Sequence, residues 1–229
     1  MKPQTEIIVA LDVDTLEDAQ KLVTDIGPAV TWYKVGKQLF TRHGPACVHL
    51  LKDSGKHVFL DLKFHDIPNT VAQAVRAAAG IGADLTNVHA SGGAAMLREA
   101  ALAGRQTGVR VIAVTVLTSL DREQLQGVGI QDDPATQVLR LARLARAGGI
   151  EGIVCSALEI AGMRREFGPD FLLVVPGIRP KGADRDDQKR VMTPQEAAAA
   201  GADFLVIGRP ITHAPDPAAA AAAILADLA

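Results

Sequence analysis

Residues His57-Val58-Phe59-Leu60-Asp61-Leu62-Lys63, then Phe64-His65-Asp66-Ile67-Pro68, then Asn69-Thr70-Val71-Ala72-Gln73-Ala74-Val75-Arg76-Ala77-Ala78-Ala79-Gly80 read as a strand, a turn and a helix. In the strand, side chains two apart share a face. Asp61 and Lys63 therefore point one way, while Leu60 and Leu62 point the other, toward covering helices. Pro68 marks the turn into the helix, and Asn69 is its expected cap.

The same unit recurs along the chain. Strands are expected at Ile7–Val13, Thr31–Gly36, His57–Lys63, Leu85–His89, Arg110–Leu117, Gly152–Ser156, Phe171–Gly177 and Phe204–Gly208. Helical patterns fill the gaps at Leu16–Ile26, Pro45–Ser54, Asn69–Gly80, Ala94–Thr107, Pro134–Ala147, Leu158–Phe167, Pro194–Gly201 and Pro217–Leu228. Val138, Leu141, Leu144 and Ala145 illustrate the helical spacing of one apolar face. Strand-then-helix repetition demands parallel strands with crossover helices. Eight such units in 229 residues, about 29 residues each, close into a single (β/α)8 TIM barrel. A doubly wound open sheet is the competitor, but it would more often place G-x-G-x-x-G after its first strand. This chain has Ala10-Leu11-Asp12-Val13-Asp14 there. No linker or charge block divides residues 1–229, so one catalytic domain is expected.

Composition narrows the function. Lys+Arg number 24 and Asp+Glu 26, a net charge of −2, with one Trp and one Tyr. Such a chain has neither a basic field nor stacking platforms for nucleic acid. The polar start, Met1 to Glu6, precedes only a short apolar run, Ile7–Leu11, and no run of 18 apolar residues occurs. A soluble cytoplasmic protein without a membrane partner is expected. Cys47 and Cys155 stand far apart and read as buried thiols, and the six histidines are scattered without ligand spacing.

Barrel enzymes place their chemistry at the C-terminal ends of the strands. The polar residues there are Asp12, Lys34, Asp61 with Lys63, His89, Thr118, Arg179 and Arg209. Lys34 alternates with Tyr33 and Val35 and so faces inward beside Asp61. Desolvating charges adds little net stability over apolar replacements. Two lysines and two aspartates, with Asp66 the second, thus point to function. At an effective dielectric of about 20, an opposite charge about 4 Å away contributes roughly 4 kcal/mol, so flanking carboxylates keep Lys63 a cation. That suits stabilisation and protonation of a carbanion better than Schiff-base chemistry, which needs a free amine. With ammonium groups interleaved among the carboxylates, no metal is expected.

At the other side of the mouth lie Pro176-Gly177-Ile178-Arg179-Pro180 and Ile207-Gly208-Arg209-Pro210, after strands seven and eight. Glycines that admit backbone N–H groups and guanidinium forks suit a phosphate. The polar stretch Lys181–Arg190 between them is long enough to act as a lid.

These residues resemble the orotidine 5'-phosphate decarboxylase family. The strongest match is Asp61 to Thr70, similar to the family's D-x-K-x-x-D-I-P-N-T block. Others are Ala10-Leu11-Asp12, Lys34-Val35-Gly36, His89-Ala90-Ser91-Gly92-Gly93, Leu117-Thr118-Ser119, Pro176 to Pro180 and Gly208-Arg209-Pro210-Ile211. The resemblance implies a homodimer whose Lys34-Asp61-Lys63-Asp66 network takes Asp66 from the partner subunit. It implies that Lys63 protonates C6 of the pyrimidine, that Asp12 and Lys34 hold ribose hydroxyls, assisted by the partner-derived Thr70, and that Thr118 sits near the base. Arg179, Gln188, Gly208 and Arg209 would grip the phosphate, with no metal or organic cofactor. Magnesium-dependent phosphosugar lyases of the same superfamily share Asp61, Lys63 and Asp66, but would want a carboxylate where Lys34 stands. A nucleotide-binding barrel without turnover would need Arg179 and Arg209 but not Lys63 between two aspartates.

Overall fold

The computed structural model describes residues 5–180 and 192–228. Eight parallel strands close in sequence order: β1 Glu6–Leu11, β2 Trp32–Gly36, β3 His57–Phe64, β4 Leu85–His89, β5 Arg110–Val114, β6 Gly152–Val154, β7 Leu172–Pro176 and β8 Phe204–Ile207, with β8 pairing β1. Helices pack outside: α1 Leu16–Ile26, α2 Lys37–His43, α3 Ala46–Asp53, α4 Pro68–Gly80, α5 Gly93–Thr107, α6 Arg122–Gly127, α7 Pro134–Ala147, α8 Ile160–Phe167, α9 Pro194–Ala200, α10 Arg209–Thr212 and α11 Pro217–Ala226. The architecture is the expected (β/α)8 barrel.

Beyond Glu6, β1 is buried on both faces, which is why it reads as an unbroken apolar run. The outward residues, among them Val9, Tyr33, Leu60, Val88 and Leu205, form the main core against the helices. The inward residues Ile8, Ala10, Trp32, Phe59, Leu85, Ile112, Val174, Phe204 and Val206 form a second, enclosed core. Trp32 lies on this inner face at the start of β2, stacked on His57 with centroids 4.8 Å apart and edge-on to Phe204 at 5.2 Å. Gly152 permits β6 to approach β7 closely. A Cβ there would sit 2.5 Å from the Leu172 carbonyl oxygen.

The N-terminal face is fastened by two aspartates in equivalent places. Asp84 accepts the Val58 N–H at 2.8 Å and an ammonium hydrogen of Lys52. Asp203 accepts the Leu173 N–H at 2.7 Å and pairs with Arg164. Each carboxylate satisfies a main-chain donor on the neighbouring strand and is itself neutralised.

Several expected boundaries move. β1, β5, β6, β7 and β8 end before the predicted Val13, Leu117, Ser156, Gly177 and Gly208. Beyond Val114 the apolar residues Val116 and Leu117 line a cavity instead of extending the ladder. Pro68 takes the first position of α4, where its missing N–H costs nothing, so Asn69 is the second helical residue and not the cap. Among the described residues no helix is long and apolar enough to cross a membrane.

Candidate active site

At the C-terminal mouth, a cavity of about 200 Å³ is lined by apolar side chains, including Phe59, Val116, Leu117 and Val206, and by Lys34, Asp61, Lys63 and Thr118. The inward alternation of β2 and β3 carries Lys34 and Asp61 directly above the apolar inner core. Lys34 Nζ lies 3.0 Å from Asp12 Oδ1 and 3.6 Å from Asp61 Oδ2. Lys63 Nζ donates to Asp61 Oδ1 at 2.5 Å. Lysines and aspartates thus alternate in one chain of charge, Asp12–Lys34–Asp61–Lys63.

The two central members are the most deeply placed, with Lys34 10% and Asp61 13% exposed against 25% for Lys63. Burial, the largest influence on Asp61, pushes its carboxyl up. The charges of Lys34 and Lys63, with hydrogen bonds from Lys63 and Asn87, together outweigh it and hold the group below the ordinary carboxylate range. His89, inward-facing on β4 and 5.5 Å from the His65 ring, is held below the ordinary imidazole value. Burial is the largest cause, and His65, Lys63 and Lys37 add to it against Asp61.

The geometry of Lys63 is unusual. Its φ is +55°, the one positive value at a non-glycine position among the described residues, a conformation that costs on the order of 1–2 kcal/mol. The site also contains a residue the sequence reading passed over. Asn87 is fully buried on β4. Its Oδ1 accepts the Lys63 N–H at 2.8 Å, and its Nδ2 donates to Asp61 Oδ1 at 2.7 Å. The alternation Leu85, Asn87, His89 carried the signal, since it places Asn87 inward beside Asp61.

The remaining expected residues fall in several places. Asp12 is exposed just past β1. Asp66 and Thr70 are exposed in the turn after β3 and the first turn of α4, outside the ion chain within this subunit. The Asp66 carboxylate accepts the Ile67 N–H at 2.6 Å. Gly208 precedes α10, whose first residue, Arg209, is exposed. Arg179 is buried, with its Nη1 donating to the Ile178 carbonyl at 3.1 Å. Gln188 lies outside the described residues. Among those residues no group of three or more His, Cys, Asp or Glu side chains is placed to hold a metal ion.

Gly36 limits the space around Lys34. A Cβ built on it would sit 2.7 Å from Lys34 Nζ and 3.1 Å from Asp12 Oδ1. Its φ of −92° suits alanine, so Gly36→Ala should fold with stability within about 1 kcal/mol of wild type while displacing the ammonium from Asp12. A rise in KM of about tenfold is expected, with the melting temperature nearly unchanged. Steady-state kinetics beside a thermal melt checks it.

Comparison with known proteins identifies the family. The model of the "Orotidine 5'-phosphate decarboxylase / HUMPS family" matches residues 5–224. Orotidine 5'-phosphate decarboxylase of Moorella thermoacetica is 53% identical, over all of this chain and 94% of that protein. That of Anaeromyxobacter sp. strain K is 54% identical over the full length of both. Among solved structures, orotidine 5'-phosphate decarboxylase from Lactobacillus acidophilus superposes with a TM-score of 0.87 and 39% identity, covering 98% of this chain and 99% of that one. The chain belongs to the orotidine 5'-phosphate decarboxylase family.

Proposed function

We propose that the chain is a catalytic domain converting orotidine 5'-phosphate to uridine 5'-phosphate and carbon dioxide. The observation that carries this reading is the Lys63 ammonium, paired with Asp61 at the wall of a largely apolar cavity. The C6–carboxylate bond breaks, carbon dioxide leaves, and the electron pair stays on C6 in the ring plane, where delocalisation is poor. A fixed ammonium in a water-excluded site is the main help a protein can give such an anion. Lys63 Nζ then transfers a proton to C6, and the neutral amine takes one back from water after release.

The other residues hold the nucleotide. Asp12 and Lys34 bind ribose hydroxyls, and Thr118 faces the base. The phosphate falls to Arg179, Gln188, Gly208 and Arg209. Arg179, buried beside this end of the barrel, completes the phosphate grip. Phosphate binding, remote from the reacting carbon, can supply energy for ordering the site. Asp66 and Thr70 reach the neighbouring site in a homodimer, so the working form is a cytoplasmic dimer without cofactor. The Asp12 and Asp61 carboxylates, which a divalent cation would need, are already paired with ammonium groups.

The test is the loss of orotidine 5'-phosphate absorbance with purified protein, with and without EDTA. Turnover indifferent to EDTA is expected. Turnover found only on a phosphosugar with added magnesium would overturn the reading in favour of a metal-using lyase.

A further inference from the structure

Between their paired points, β3 and β4 do not match in length. Leu60 pairs with Thr86 and Phe64 with Val88, so Asp61, Leu62 and Lys63 stand opposite Asn87 alone. Such a bulge strips main-chain groups of their ladder partners and re-aims a side chain. Two β4 side chains bond to the β3 main chain at the ends of this stretch. Thr86 Oγ1 donates to the Leu60 carbonyl at 3.0 Å on the outer side. Asn87 accepts the Lys63 N–H on the inner side.

Asn87 does more than fill the gap. Its carboxamide ties the Lys63 main chain with one end and Asp61 Oδ1 with the other. That same oxygen receives the Lys63 ammonium. The result is a closed loop of three hydrogen bonds, with the backbone at one end of Lys63 and the charge at the other. Only a group with one acceptor and one donor facing opposite ways fits this place. Aspartate offers two acceptors, one of them against Asp61. Leucine has the size and neither function.

We infer that Asn87 is a positioning residue for proton delivery, fixing the direction of the Lys63 ammonium through both its backbone and its counter-ion. The inference rests on the reading of Lys63 as the proton donor. An Asn that served the fold alone would need only the Lys63 N–H, as Thr86 needs only the Leu60 carbonyl. The second bond, to the catalytic carboxylate, distinguishes it.

The experiment compares Asn87→Ala, Asn87→Asp and Thr86→Val with wild type by kcat, KM, thermal midpoint and pH profile. Asn87→Ala should lose about a hundredfold in kcat with KM within threefold. Thr86→Val should lower the thermal midpoint and leave kcat within threefold. Asn87→Asp is the decisive variant. At neutral pH its carboxylate faces Asp61, and kcat should fall at least as far as in the alanine variant. On acidification the new carboxyl regains a donor hydrogen, so kcat should recover at least fivefold relative to wild type at the same pH. The groups around it are Lys34 on β2, Asp61 and Lys63 on β3, His65 in the following turn and His89 on β4. All of these are shared with wild type and Asn87→Ala, which should show no such recovery. A kcat within threefold of wild type in Asn87→Ala, or parallel pH profiles for Asn87→Asp and Asn87→Ala, would overturn the inference. Should the alanine variant fail to fold, the nearly isosteric Asn87→Asp carries the test alone by its profile against wild type. Absence of turnover in wild type would instead overturn the decarboxylase reading itself, so the two failures are distinct.

Discussion

Lys63→Ala is expected to lower turnover of orotidine 5'-phosphate by about 10⁴-fold or more while leaving the affinity for uridine 5'-phosphate within about tenfold. General-acid transfer contributes typically about 10²–10⁴, and loss of one preorganised electrostatic contact a further factor of about 10²–10³. The two overlap at Lys63, so they do not multiply in full. Binding should survive because Asp12, Lys34, Thr118 and Arg209 occupy other elements, and because Asp61 keeps Lys34 at 3.6 Å and the Asn87 amide. Initial rates over a wide enzyme concentration, with calorimetric titration of the product, test both halves. Residual turnover above a hundredth of wild type would remove Lys63 from its role.

Asp61→Ala should damage both activity and stability. The variant leaves Lys34 and Lys63 without the carboxylate between them and leaves the Asn87 amide without its acceptor. Breaking a buried pair by removing one partner costs about 3–5 kcal/mol. Because Lys63 keeps partial contact with water, about 2–3 kcal/mol is the expectation here, read from urea unfolding. The pH dependence has a definite sign. The folded carboxyl is held below its ordinary value, so its contribution is complete above about pH 4, the ordinary unfolded value. It is lost as pH falls through the lower folded value. The stability gap between wild type and Asp61→Ala should therefore be constant from about pH 5 to 7 and narrow below about pH 4. A gap that widened on acidification would contradict the ion chain.

The barrel was legible because the fold is written as a repeated period. Strand alternation placed Lys34, Asp61 and Lys63 inward, and the apolar outer residues Leu60 and Leu62 pack toward the helices as the pattern demands. The strand ends were less legible. Val116 and Leu117 are apolar because they wall the cavity, and composition cannot separate that from strand pairing. The left-handed Lys63 carried no glycine or asparagine to announce it. Its main-chain N–H is held by Asn87, a long-range partner that no local pattern connects to it. The short helices α2, α6 and α10 span too few turns to show a period. Arg179, expected as an anion ligand by its place after β7, is buried.

The stacking of Trp32 on His57 has a practical consequence. Trp32 is the sole tryptophan in the chain, so all indole fluorescence comes from one ring, held between β2, β3 and β8 at 9% exposure. Opening the barrel at this corner must expose that ring to water and shift its emission to the red. The protein therefore reports the integrity of its own sheet closure optically, without an attached dye. The emitter sits one inward layer below Lys34, where it can separate variants that merely lose activity from those in which the cylinder has come apart.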